Sequence, residues 1–122
     1  MADGDGIILI AERVMGLDIA PHSYERVGKI YPRVDIYHDG MFRLHTSRED
    51  VREWNPFESH ADAYEVEERL PEELRHKYAR TLHFHVVRRG AGSVEQDIWL
   101  VAHASPRQRM EAVCAVLKEE QK

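Results

Sequence analysis

Near the start of the chain, apolar residues recur at helical spacing. Ile7, Ile10, Ala11, Val14 and Met15 share one side of a helical projection, with Glu12 and Arg13 on the other. This predicts a helix from about Asp5 to Leu17, with Gly16 near its end. From Asp18 to Pro32 no period is sustained, and two prolines and a glycine interrupt the stretch. It reads as an irregular connector, of a length often found in functional loops. Val34 to Leu44 reads as a short hairpin around Asp39-Gly40, a pair that supplies the positive backbone angles of a tight turn. A charged stretch, Arg48 to Glu53, follows and predicts no element.

Ser59 and Asp62 stand three apart, as in a capping box, ahead of Ala63, Val66 and Leu70. They predict a helix ending near Pro71, then a short helix from Glu72 to Tyr78. Thr81 to Val87 alternates, with Leu82, Phe84 and Val86 opposed to His83, His85 and Val87. Val94 to His103 alternates again, so the two segments are expected to pair as an antiparallel hairpin about Arg88-Arg-Gly-Ala-Gly-Ser. Ser105, Pro106 and Gln108 open a final helix whose apolar stripe is Met110, Val113, Cys114 and Leu117. The expected fold is α+β: a small antiparallel sheet of three to four strands sandwiched by amphipathic helices, in the order α-β-β-α-β-β-α.

Composition narrows the function. A chain of 122 residues suits one domain spanning residues 1–122. Its 17 Lys and Arg against 22 Asp and Glu give a formal net charge of -5, the wrong balance for a generic DNA- or RNA-coating protein. One cysteine, Cys114, excludes an intramolecular disulfide framework and fits a reducing compartment. The longest apolar run, Ile7 to Ile10, is far too short for a membrane span, so a cytoplasmic location is expected.

Several residues carry potential chemistry. Trp54 or Phe57, at a loop-to-helix junction shaped by Pro56, offers a stacking face for a base. Helix N-terminal amides can receive a phosphate, and Asp62 can accept from ribose hydroxyls or an amino group. The structural alternative makes Ser59 and Asp62 a plain capping box and Trp54 a core plug. Arg107 and Arg109 fall in the first turn of the last helix, where the dipole disfavours cations, so a bound anion would rationalise them; solvated arginines are the equal alternative. Arg43 and Arg88 are further candidates to neutralise phosphate. His83, His85 and His103 form a metal candidate, since residues two apart on a strand share a face and the partner strand could bring the third. No carboxylate is placed beside them, and a histidine surface packed on a helix or a second subunit is the competing reading. Rossmann, Walker and nucleophile-elbow patterns are absent, so no catalytic residue and no cofactor is expected.

Three segments in order resemble the phage ABA-sandwich domain family: Ile10-Ala-Glu-Arg-Val-Met-Gly-Leu, Trp54-Asn-Pro-Phe-Glu-Ser-His-Ala-Asp-Ala-Tyr and Ser105-Pro-Arg-Gln-Arg-Met-Glu-Ala-Val-Cys-Ala. The chain departs from the family pattern at Phe57-Glu58, where Ser-Thr is usual, and at Tyr64, where Trp is usual. A related group, the phage sponge proteins directed against Thoeris defence, has a similar motif before a helix. That resemblance implies a homo-oligomeric binding protein in the host cytoplasm that sequesters a cyclic nucleotide immune signal without cleaving it. It carries Trp54, Pro56, Ser59 and Asp62 over as ligand positions. The tryptophan-proline junction and the start of the last helix are then expected to converge on one cleft. A protein-interaction module that inhibits a host protein is the alternative, and a small His-metal hydrolase a third.

Overall fold

The computed structural model describes residues 3–23, 30–87 and 93–120. The chain runs α1 (Asp3–Arg13), β1 (Asp18–Pro21), β2 (Arg33–Ile36), β3 (Phe42–His45), β4 (Val51–Glu53), α2 (His60–Arg69), α3 (Glu72–Val86), α4 (Val94–Ala102) and α5 (Pro106–Glu120). The α+β class, with a small sheet and packed helices, is as expected. The element order is not.

Where local chemistry is decisive, the elements match expectation. α1 buries Ile7, Ile10 and Ala11 and stops at Gly16, whose φ of 64° lets the Leu17 amide return to the Ala11 carbonyl at 2.9 Å. Gly40, at φ 82°, closes the β2–β3 hairpin, and its amide donates to the Tyr37 carbonyl. Ser59 caps α2 by accepting from the Asp62 amide. At α5, Ser105 and Gln108 satisfy each other's amides at 3.1 and 2.9 Å, a reciprocal capping box.

Three expectations are corrected. The second hairpin is helical: Thr81 to Val86 continues α3, and Val94 to Ala102 is α4. Leu74, Tyr78, Leu82 and Val86 recur every four residues, and this stripe on α3 packs on α5. Alternation across Leu82, Phe84 and Val86 hid it, and Phe84 points to solvent. The connector contains β1, which pairs parallel to β2 with Ile19 opposite Val34, so the sheet is mixed rather than antiparallel. The charged stretch supplies β4, exposed throughout and paired to β3. The expected turn at 88–92 and connector positions 24–29 lie outside the described residues.

Sheet order is β1-β2-β3-β4. Val34 and Leu44, opposite one another, join the hydrophobic core with α1, α2, α3 and α5. By the two-residue period of a strand, Arg33, Asp35, Arg43 and His45 occupy the other face. α5 is the central helix, packing on α1, α2 and α3.

Candidate functional site

The face of the sheet away from the core gathers an unusual set of buried polar side chains. Asp35 is fully buried, and Arg33 and His45 are 4% and 5% exposed. Register explains the meeting: Arg33 lies directly opposite His45, and Asp35 is two residues along β2 on the same side. His22 joins them because its amide donates to the Ile36 carbonyl at 2.8 Å, which extends β1 beside the end of β2.

Hydrogen bonds order the cluster. Arg33 donates from Nε to Asp35 Oδ1 at 3.0 Å and from Nη2 to Oδ2 at 3.3 Å. His22 Nδ1 lies 2.8 Å from Asp35 Oδ2, and His45 Nε2 lies 3.5 Å from the same oxygen. The Tyr37 hydroxyl is 3.0 Å from His45 Nε2, and the Tyr37 ring stacks on His22 at 4.1 Å between centroids. Burial alone would raise the pKa of Asp35; hydrogen bonds from His22 and Arg33, with the charges of Arg33 and His45, outweigh it and hold the carboxyl below its ordinary value.

A cavity of about 340 Å³ opens over this cluster, lined by His22, Ser23, Tyr31, Arg33, Tyr37, His45 and Arg48. No carboxylate is among its described lining residues. Arg33 Nη1 is buried and has no hydrogen-bond partner among the described residues. A buried guanidinium donor left unpaired costs about 1–3 kcal/mol or more, so this nitrogen marks where an acceptor oxygen would be stabilised. The Arg33 guanidinium also lies over the Tyr31 ring at 4.9 Å.

The residues expected to bind ligand have other employment. Trp54 is wholly buried, Pro56 nearly so and Phe57 5% exposed, so neither aromatic offers an open stacking face. Phe57 fills the space beside Gly6, where an added Cβ would approach its Cζ to 2.6 Å. Asp62 accepts from Arg52 Nη1 at 2.8 Å and the Asn55 amide at 3.0 Å, and with Ser59 it shapes the entry to α2. Arg109 donates to Glu67, and to the carbonyls of Ala102 and Ala104 that end α4. Those carbonyls and the Glu67 carboxylate account for its place in the first turn of α5. Arg43 pairs with Asp39 at 3.0 Å and covers the Tyr37 ring at 4.2 Å. Arg88 lies outside the described residues.

Phe57 and Arg107 do meet, in a second cavity of about 390 Å³ that also involves Asp3, His85, Glu111, Cys114 and Lys118. Its charge is balanced: Arg107 makes two 2.7 Å bonds to Asp3, and Glu111 lies alongside. The metal candidate disperses. His83 and His85 are two apart on a helix and so diverge, His83 toward Asp97 at 3.7 Å and His85 toward the second cavity. His103 stacks on Trp99 at 4.0 Å. Burial pushes the Cys114 thiol up to about 11, consistent with a packing role.

Sequence reasoning missed His22, Arg33, Asp35 and His45. The signal available was polar residues alternating with apolar ones across the hairpin, which reads as a solvated face; only pairing with a third segment buries them. No protein-family model, curated protein or solved structure matches the chain.

Proposed function

We propose that the protein is a non-enzymatic binding protein that captures a phosphorylated small molecule of the cyclic nucleotide class, as the resemblance to phage sponge proteins implies. The observation that carries this reading is the Nη1 of buried Arg33, unpartnered among the described residues, beside a cavity whose described lining holds Arg48 and two imidazoles and no carboxylate. Such a lining suits a phosphate group, which accepts several donors at once. The ligand position therefore moves from the junction at Trp54 and Pro56 to the sheet face, where Arg43 stands nearby, alone among the original candidates that are described. Capture needs affinity without transition-state machinery, in keeping with the absence of a recognisable catalytic motif.

Self-association belongs to the same proposal. Phe84, Val94, Ile98 and Trp99 are each more than half exposed on α3 and α4, and a groove of about 550 Å³ runs between Ala79, His83, Val94, Ile98 and Val101. An exposed apolar stretch of this kind marks a protein contact. A second copy fits the sponge reading; a host protein fits the interaction-module reading. No helix among the described residues is long and apolar enough to cross a membrane, and action in the host cytoplasm is part of the proposal.

The test is incubation with cyclic dinucleotides, cyclic trinucleotides and cyclic ADP-ribose isomers, followed by heat release. A sponge depletes one ligand and returns it intact, and Arg33→Gln abolishes depletion while Arg107→Gln does not. Recovery of cleaved product, or failure to deplete any member of the panel, refutes the reading.

A further inference from the structure

The three groups around Asp35 have a second capacity that anion capture does not use. Among the described residues, His22, Asp35 and His45 form the one group of three or more His, Cys, Asp or Glu donors close enough to share a metal ion, with ligand atoms all within 4.8 Å of one another. They come from three separate strand regions, so the sheet itself sets their spacing.

The carboxylate is already oriented for such a task. Arg33 Nε holds Oδ1 at 3.0 Å, and Oδ2, which also accepts a longer 3.3 Å bond from Arg33 Nη2 that an ion would displace, lies 2.8 and 3.5 Å from the two rings. A ligating carboxylate is ordinarily fixed in this way, by a hydrogen bond on its other oxygen. The rings are also held: His22 stacks on Tyr37, and the Tyr37 hydroxyl reaches His45 Nε2. His22 and His45 both line the cavity, which gives an ion a route in and leaves room for further ligands.

We propose that His22 Nδ1, Asp35 Oδ2 and His45 Nε2 bind one divalent transition-metal ion. Two imidazole nitrogens and one carboxylate oxygen suit Zn²⁺, Co²⁺ or Fe²⁺, and suit Mg²⁺ and Ca²⁺ poorly because those ions prefer oxygen throughout. Binding releases any proton carried by the ligating nitrogens and displaces the Tyr37 hydroxyl from His45 Nε2. The ion adds positive charge to a cavity already lined by Arg33 and Arg48, so it strengthens the attraction for a phosphate without being required for it.

Zn²⁺ or Co²⁺ is titrated into the metal-free full chain in a buffer without phosphate or chelator. The expected result is one ion per chain, visible absorption on Co²⁺ binding, and loss of the His22 and His45 ring resonances of the unsubstituted protein at the first equivalent. His22→Ala and His45→Ala each weaken binding by more than about 100-fold, and Arg33→Gln, acting through the carboxylate, by about 10- to 100-fold. The resonance experiment decides the matter even where a substituted chain does not fold. Broadening centred on His83, His85 or His103, or no saturable binding, overturns the proposal. The two readings fail separately: zinc binding without ligand depletion removes capture alone, and ligand depletion by a chain that takes up no zinc removes the metal alone.

Discussion

At the scale of single residues, the same side-chain chemistry has opposite consequences in different places. Trp54 has the chemistry of a stacking platform, but it is wholly buried. Trp54→Ala is therefore expected to cost about 3–5 kcal/mol in chemical denaturation, as large core truncations do. A loss of ligand binding with unchanged stability would contradict that role. Asp35 behaves in the opposite way, a charged residue made tolerable by its partners. Its pKa is lowered in the folded state, so its contribution is present above the unfolded pKa of about 4 and is lost as pH falls through the lower folded value. In metal-free protein, Asp35→Asn should flatten the acid side of the stability profile. A substituted chain that retains the full acid-induced loss would show that the cluster does not favour the carboxylate.

At the scale of elements, α4 is held by its ends more than by burial. None of its residues is buried, yet Ser93 and Gln96 close a capping box at its start and Arg109 gathers carbonyls at its finish. Ser93→Ala should cost about 1 kcal/mol, measured by thermal or denaturant unfolding. Arg109→Ala should cost more, about 3–5 kcal/mol, because it removes the cation paired with Glu67, which keeps the Tyr78 hydroxyl, and the donors to the Ala102 and Ala104 carbonyls. If Arg109→Ala is neutral, the arginine is a surface residue after all. The Ser93–Gln96 pair and the four-residue spacing of Leu74, Tyr78, Leu82 and Val86 are helix signals that a reading of two strands passes over, because a two-residue alternation fits seven positions as well and short apolar runs suit either period.

At the scale of the whole molecule, the sheet divides the protein into a packed side and a polar side. Val34 and Leu44 join the core with the helices, and Arg33 and His45 line the cavity, with buried Asp35 on their side of the sheet. Ile98→Glu with Trp99→Ser should convert an assembled species to monomers in sedimentation and leave unfolding behaviour nearly unchanged, since neither residue is buried in the chain. Monomers throughout, at concentrations well above those in which ligand is captured, would remove the self-association part of the proposal.

Elements with their own punctuation could be read from the chain alone: α1 ending at Gly16, the turn at Gly40, and α2 and α5 starting at Ser59 and Ser105. Caps, positive-φ glycines and amphipathic stripes act within a few residues, so the sequence by itself specified them. Strands β1 and β4 exist only because β2 and β3 are there to pair with, and Val51-Arg-Glu carries no apolar pattern at all. The polar cluster depends on that pairing still more. His22, Asp35 and His45 are separated along the chain, and it is the register of three strand regions that sets two imidazoles against one buried carboxylate; only the tertiary structure could decide it.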